Sequence, residues 1–591
     1  MKQFPKGITP LEIAKSISNG LASETVVSEV NGNLVDLVKP INEDASVKFY
    51  KFSDEEGRKV YWHSTSHIMA QAIEELFPGA KFGVGPAVEN GFYYDVDSDH
   101  KFTDEDLKKI EDRMKEISKR DLKTVREEMK REDAIKYFRS KRADPYKVEI
   151  LEDIAKDEEV VSLYHQGDFT DLCRGPHMPT TARLKYVKLL SVSGSYWRGD
   201  SNRKQLQRIY GVSFPEKKLL DEHLKLLEEV KKRDHRKIGK DLELFFFDEV
   251  SPGAPFWLPN GMFIFRLLEK YWRDIHDSSG YQEISTPIVV KDSVFARSGH
   301  LDHYAEHMFK IESKDERLYL KPMNCPEGTM VYSSKLRSYK DLPLRLSEIG
   351  RLHRNELSGA LGGMFRVRQI TMDDAHIFCT EDQIQQEISG VLGLVKRFYG
   401  LFGFEPDFYL STRPDNAMGS VETWNNAEKA LEQALIANSL KYKVHPKDGA
   451  FYGPKIDIHI KDVLRRDWQM ATIQLDYQMP ERFDLTYDAS DGKKYRPVMI
   501  HRAIFGSFER FLGILIEHYA GNFPFWISPV QLAVMPITEN QNDYAHSVYE
   551  KFKARGFRTE LDIRSEKVGY KIREWENKKV PYMIILGDKE K

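Results

Sequence analysis

No uninterrupted apolar run in this chain approaches the ~18 residues that a membrane-spanning helix needs. Yet 41% of its 591 residues are hydrophobic and 31% are charged. That much apolar side chain is enough for several buried cores, and it is too much for a disordered chain. At ~150 residues per domain, the length predicts about four such units. After Met1-Lys2-Gln3-Phe4-Pro5-Lys6 no apolar stretch follows, so no secretory leader is expected. Three cysteines, Cys173, Cys325 and Cys379, argue against a disulfide scaffold and fit a reducing, cytoplasmic setting. Lys and Arg total 89 against 92 Asp and Glu, a net charge of −3. This balance argues against a small basic DNA-binding module and leaves room for local basic patches that meet RNA.

The pattern along the chain predicts five segments. Residues 1–57 read as a small α+β unit. Thr9-Pro10-Leu11-Glu12 has the cap, the first-turn proline and the reach-back glutamate of a helix start. Asn31-Gly32 joins two short β runs as a hairpin turn, because both positions tolerate positive φ. Residues 58–212 open with an apolar helix pattern. A strand is expected at 91–95, a charged helical region over about 104–142, and strands near 147–151 and 186–193. Residues 213–240 read as a connector helix with Leu220, Leu224 and Leu227 on one face. Its basic end, Lys231 to Lys237, is either a solvated face or a contact for a nucleic-acid backbone. Residues 241–528 hold most of the strands, aromatics and Gly-rich turns. From 529 to 591, strands at 530–535 and 580–585 flank a helix at 540–555, the rhythm of a small α/β domain. The absence of a GxxxxGK[ST] loop and of a Rossmann fingerprint argues against a Walker-type nucleotide site.

Five groups of residues carry chemistry. His63-Ser64-Thr65-Ser66-His67 sets two histidines one helical turn apart on one face, without the second-position Glu of a zinc protease. Asp171-Leu172-Cys173-Arg174-Gly175-Pro176-His177 sets a Cys and a His four apart. Together, three His and one Cys suit zinc by count, and equally suit a hydrolytic pocket that positions water. Arg354-Asn355-Glu356 and Phe365-Arg366-Val367-Arg368-Gln369-Ile370 read as the strands of a hairpin around a Gly-rich loop. Arginines on both strands suit a polyphosphate, or surface ion pairs. Arg510, in Gly506-Ser507-Phe508-Glu509-Arg510, falls in the first turn of an apolar helix, where burial demands an anionic or aromatic partner. Cys325, His376 and His501 are dispersed; no spacing rule connects them, and singly each reads as structural.

In combination these segments resemble the threonyl-tRNA synthetases, class II aminoacyl-tRNA synthetases, from residue 1 to about 588 and in the same order. The resemblance rests on His63 to His67, Lys81-Phe82-Gly83-Val84-Gly85-Pro86, Cys173 to His177 and Tyr196-Trp197-Arg198-Gly199-Asp200. It rests further on Lys321-Pro322-Met323-Asn324-Cys325-Pro326, Arg354-Asn355-Glu356, Asp373-Asp374-Ala375-His376, Phe451-Tyr452-Gly453-Pro454-Lys455 and Gly506 to Arg510.

The resemblance implies a multidomain α+β and α/β architecture. A ubiquitin-like TGS domain would occupy 1–57, an α+β editing domain 58–212, and a linker helix 213–240. A class II antiparallel-sheet catalytic domain would occupy 241–528, and an α/β anticodon-binding domain that looks truncated 529–591. Cys325, His376 and His501 would hold one Zn²⁺ per subunit, whose open coordination threonine fills with its amino group and hydroxyl. An apolar pocket separates threonine from isosteric valine only by ~10²-fold, so the metal would make that discrimination. Asp374 would accept the threonine hydroxyl, with Tyr452, Gln474 and Met323 in the same pocket. Arg354 would contact the ATP α-phosphate, Glu356 the adenine amino group, Arg366 the γ-phosphate, and Arg510 would stack on adenine, with Gln474 also near the nucleotide. Mg²⁺ would accompany ATP, and Arg354 and Arg510 would be the catalytic pair. Serine keeps the hydroxyl, so a second site must hydrolyse seryl-tRNA. His63, His67, Cys173 and His177, with Asp171 and Lys147, match that editing pocket, which in the family works without a required metal. Gly280-Tyr281-Gln282-Glu283 through Pro287 matches the class II dimer segment, so a homodimer is expected, with tRNA(Thr), ATP and L-threonine as partners and no membrane.

Three departures stand out. Met372 occupies the position of the family's Gln, and a thioether cannot donate an amide hydrogen bond. Met470-Ala471 follows Trp468-Gln469 where Cys-Gly is usual, and the chain ends at Lys591, ~40–50 residues earlier than the family pattern. Two other readings follow from these departures: an RNA-gripping regulator, with Arg564 and Lys567 on its remaining surface, or a hydrolase with only the editing site active.

Overall fold

A computed structural model describes residues 2–200 and 202–590. The chain forms two compact units, Met1–Leu227 and Glu228–Lys591. In the first, Thr25–Val30 is the centre of a three-stranded antiparallel sheet, paired with Asn33–Val35 through the Asn31-Gly32 turn and with Val47–Lys51. Asn31 and Gly32 take φ of 50° and 83°, as the hairpin reading requires. The Thr9 capping box is formed.

The helix Glu55–Leu76 is buried almost all round from Val60 to Ile73, which makes it the axis of this unit's core. Its hydroxyls are satisfied within the helix: Ser64, Thr65 and Ser66 donate to the carbonyls of Val60, Tyr61 and His63. A sheet containing Gly91–Asp97, Gln205–Phe214 and Tyr186–Tyr196 shares this core. A second sheet pairs Thr124–Lys130, Val160–Gln166 and Phe169–Leu172.

Three sequence expectations give way here. The charged region 104–142 is two helices, Asp104–Lys119 and Arg131–Ser140, separated by the strand Thr124–Lys130. That strand lies at a sheet edge and is mostly exposed, so it carries no period-two apolar signal. Residues 147–151 are helical, not strand: Asp144 accepts from the amides of Tyr146 and Lys147, and Pro145 opens the helix Pro145–Glu149. The connector is two helices, Lys217–Arg233 and His235–Asp241, with Asp234 capping the second, while 213–214 still belong to the preceding strand. Leu220 and Leu224 do share a face, against Val212 and Phe214. In the basic run, Arg233 donates to the carbonyls of Glu517 and His518 at the end of the helix Phe508–Tyr519.

The second unit is built on an eight-stranded sheet. Its order is Gln282–Glu283, Leu344–His353, Gln369–Cys379, Val498–Ser507, Asp467–Asp476, Lys455–Lys461, Pro406–Ser411 and Tyr442–His445, antiparallel except for the two end pairs. The helices Pro259–Ser278, Ile384–Leu401 and Phe508–Tyr519 bury one face of it around Trp272, Leu392, Phe398 and Ile514. The other face carries Asp374, His376, Gln474 and His501, which line one cavity. The predicted arginine hairpin is shorter than expected. Its strands stop at His353 and resume at Gln369, and Arg354, Glu356, Arg366 and Arg368 lie on an irregular connection with two short 3₁₀ turns. The C-terminal sheet is parallel, Leu532–Pro536 between Thr559–Leu561 and Tyr582–Leu586, with the helix Asn542–Ala554 as foreseen. Among the described residues no helix is long and apolar enough to cross a membrane.

Candidate functional site

Cross-strand register assembles what sequence spacing could not. His376 and His501 are directly paired across two central strands, and His501 is paired with Gln474 on the next. Side chains alternate along a strand, so Asp374 and Met372 fall on the same face as His376. Cys325 arrives from the first turn of the helix Cys325–Ser333. The ligand atoms of Cys325, His376 and His501 all lie within 4.8 Å of one another. His501 Nε2 is 2.9 Å from Asp476 Oδ2, and with Nε2–H given to that carboxylate the Nδ1 lone pair is left to ligate, the arrangement in which a carboxylate orients a metal-binding histidine. Burial holds His376 well below the ordinary histidine value, hence neutral, and pushes the Cys325 thiol well up. A buried thiol of this kind becomes a stable thiolate only against a cation. Two imidazoles and a thiol, with no fourth protein donor in the group, suit zinc with an open position.

These residues line a cavity of about 300 Å³ together with Asp374, Tyr452, Gln474, Met323, Arg354 and Arg510. Asn324 Nδ2 donates to Asp374 at 3.1 Å, an amide donor that the thioether of Met372 does not supply. At the other end of the cavity, Arg354 Nε donates to the Pro322 carbonyl at 3.3 Å, and Arg510 Nε to the Phe365 carbonyl at 3.0 Å. Burial, with Arg354 and Arg366 close by, lowers the proton affinity of Arg510. Such a cluster of guanidinium groups is an anion site. Glu356 and Arg366 are off the cavity wall and pair with each other at 2.8 Å on the connecting loop.

Two residues the sequence reading passed over hold this scaffold. Asp373 points away from Asp374 and accepts the amides of Ile504, Phe505 and Gly506 at 2.8–3.1 Å, bracing the register shift between Met372 and Asp374. Burial pushes its carboxyl up to about 7. Glu509 accepts the Thr371 amide at 2.9 Å and the Ser507 hydroxyl at 2.8 Å. Both stood within quoted motifs, but only register distinguishes a brace from a pocket residue.

In the first unit, His63, His67 and His177 form a triangle with ring centroids 5.1, 4.6 and 4.3 Å apart. Cys173 Sγ lies 3.2 Å from His177 Nε2 and 3.4 Å from His63 Nε2. Lys147 pairs with Asp171 at 2.5 Å and donates to the Tyr94 hydroxyl at 3.0 Å, and Tyr94 donates to Asp171. Tyr94 lies on the strand Gly91–Asp97, within the strand expected at 91–95, but carried no expected role. His63, His67, Cys173, Asp171 and Lys147 line a cavity of about 330 Å³, with His177 buried behind them. Burial lowers His63 to about 4 and pushes the Cys173 thiol up to about 12. The pocket therefore offers neutral imidazoles that can accept a hydrogen bond from water, and no thiolate nucleophile near neutral pH.

That neutrality has a consequence for stability. The unfolded chain protonates His63 below its ordinary 6.5, whereas the folded chain resists until about 4. The contribution is fully present above about 6.5 and is lost as pH falls toward 4, at up to about 1.4 kcal/mol per pH unit. Thermal unfolding between about pH 7 and pH 5 should show this slope, and the His63→Gln variant a shallower one.

A third group, Asp234, His235 and Glu517, also has its ligand atoms within 4.8 Å. Both ring nitrogens of His235 are already used, Nδ1 at 2.7 Å from Glu517 and Nε2 accepting the Met364 amide at 3.0 Å, so it is a structural brace.

Comparison with known proteins adds four domain matches. They are a TGS domain over residues 1–51, the Threonyl and Alanyl tRNA synthetase second additional domain over 161–210, the tRNA synthetase class II core domain (G, H, P, S and T) over 309–519, and an anticodon binding domain over 531–591. A threonine–tRNA ligase of Caldanaerobacter subterraneus subsp. tengcongensis is 54% identical over 589 residues, 100% of this chain and 91% of that one. A threonine–tRNA ligase of Acetivibrio thermocellus is 53% identical over 590 residues, 100% and 93% of the two chains. Among solved structures, the RNA binding domain of threonyl-tRNA synthetase from Cryptosporidium parvum Iowa II superposes with a TM-score of 0.59 at 44% identity, over 60% of this chain and 90% of that one.

Proposed function

The chain belongs to the threonyl-tRNA synthetase family, and on that premise we propose that the cavity around Cys325, His376 and His501 is its aminoacylation site and the histidine triangle its editing site. As a threonine–tRNA ligase it activates L-threonine with ATP, transfers it to tRNA(Thr), and hydrolyses mischarged seryl-tRNA(Thr).

One observation carries the assignment of the first site: a Cys-His-His group and converging guanidinium groups share one cavity. Cys325, His376 and His501 would hold zinc, whose Lewis acidity would favour the amino group and hydroxyl of threonine over valine, which has no hydroxyl. Asp374, oriented by Asn324, accepts a hydrogen bond from the threonine hydroxyl, while Tyr452, Gln474 and Met323 close the pocket. ATP enters with Mg²⁺ as its counter-ion. A threonine carboxylate oxygen attacks the α-phosphorus, and the bond to the β-phosphate oxygen breaks. Arg354 stabilises the charge that develops on the α-phosphoryl oxygens. Arg366 and Glu356 exchange their mutual ion pair for the γ-phosphate and the adenine amino group, and Arg510 stacks on the base. The terminal ribose 3′-hydroxyl of the tRNA then attacks the adenylate carbonyl and AMP leaves.

In the editing site, neutral His63 and His67 polarise the attacking water, and Lys147, neutralised by Asp171 in the resting site, binds the substrate's polar end. The strand Gln282–Glu283 lies at the edge of the large sheet with both residues exposed. We assign the segment 280–287 to a homodimer contact, since an unpaired edge seeks a partner.

The test is charging of tRNA(Thr) by the wild type and by His67→Ala. The wild type should accumulate threonyl-tRNA alone, whereas the variant should also accumulate seryl-tRNA at unchanged threonine charging. No seryl-tRNA from the variant would overturn the editing assignment.

A further inference from the structure

Asp36 follows the short strand Asn33–Val35 of the N-terminal sheet and is buried, yet both of its carboxylate contacts lie outside that sheet. One oxygen accepts the backbone N–H of His177 at 2.8 Å, and the other accepts the Tyr164 hydroxyl at 2.8 Å. These two donors flank one structure. The Tyr164 ring packs against the His177 ring at 4.4 Å. His177 in turn meets Cys173 through Nε2 at 3.2 Å and Ser64 through Nδ1 at 3.2 Å. The loop between them passes so close that a Cβ on Gly175, which holds φ +70°, would overlap the Tyr164 hydroxyl. The loop Cys173–His177 is thus clamped between Tyr164 and the helix Glu55–Leu76, and Asp36 ties the clamp together from the neighbouring domain. A buried carboxylate is tolerated only where donors satisfy it, and charge-assisted bonds of this kind are the strong ones.

We propose that Asp36 is a positioning residue for editing: its carboxylate fixes His177 through the His177 amide and the Tyr164 hydroxyl, so the N-terminal domain completes the hydrolytic pocket. The proposal rests on reading that pocket as the editing site. It gives the N-terminal domain a task in hydrolysis and none in adenylate formation.

The experiment uses the full chain with Asp36→Ala, Asp36→Asn and His67→Ala. It measures kcat and KM for seryl-tRNA(Thr) hydrolysis, with threonine-dependent ATP–pyrophosphate exchange measured in parallel. Asp36→Ala should lose about tenfold to a hundredfold in hydrolytic kcat, as expected when the His177 ring that packs against His63 and His67 is displaced and misplaces them, with KM and exchange unchanged. Asp36→Asn keeps an oxygen for the His177 amide and should recover most of that loss. Wild-type hydrolysis by Asp36→Ala, equal losses in the Ala and Asn variants, or a parallel fall in exchange would each overturn the proposal. Wild-type hydrolysis by His67→Ala would instead remove the reading of the pocket, and the proposal with it.

Discussion

Replacing Arg354 by alanine should lower threonine-dependent ATP–pyrophosphate exchange roughly 10³-fold or more, the scale on which an arginine acts in phosphoryl transfer. The side chain sits one residue beyond the strand Leu344–His353, is anchored by the Pro322 carbonyl, and faces the cavity that also holds Arg510. Its effect is electrostatic and confined to the transition state, so kcat should fall far more than the KM for threonine. Lysine at 354 keeps the charge but loses the planar fork, and should recover only part of the activity. Hydrolysis of seryl-tRNA, assigned to the other unit, should be untouched. Equal loss of both activities would point to misfolding, and circular dichroism of the variant distinguishes that case.

The second large effect concerns the metal. Cys325→Ala removes one of the three ligand atoms of this group, and the only sulfur among them. Metal analysis of the purified variant should fall from about one zinc per chain to almost none, and threonine activation should drop roughly a hundredfold or more. The cavity that remains is lined by His376, His501 and Asp374, which bind an amino acid hydroxyl weakly and cannot separate threonine from valine beyond the ~10²-fold of an apolar pocket. Full zinc content in the variant would mean that Cys325 is a buried structural thiol.

Local signals in the sequence were read well and long-range ones poorly, for physical reasons visible at single residues. The Thr9 capping box, the Asn31-Gly32 turn and the C-terminal strand–helix–strand are decided within a few residues, and each appears as read. His63 and His67 are one turn apart on a helix, so their convergence needed no tertiary information. Cys325, His376 and His501 meet because His376 pairs with His501 across two strands, and antiparallel register is not written in any short spacing. Only the family resemblance connected them. The strand Thr124–Lys130 was lost among charges because an exposed edge strand has no apolar face. The Asp144-Pro145 helix start is a legible cap-and-proline signal that the strand-like alternation of Lys147-Val148-Glu149-Ile150 obscures. Asp36 lay beyond reach, since its partners are 128 and 141 residues away.

The most direct test of the two-pocket ligase is ATP–pyrophosphate exchange by the unmodified chain with threonine, serine and valine, before and after zinc chelation. It requires no tRNA, so it isolates the cavity around Cys325, His376 and His501. The account predicts strong exchange with threonine, weaker exchange with serine, none with valine, and loss of all exchange on chelation with recovery when zinc is restored. Exchange with valine rivalling threonine, or threonine exchange that survives removal of the metal, would contradict it.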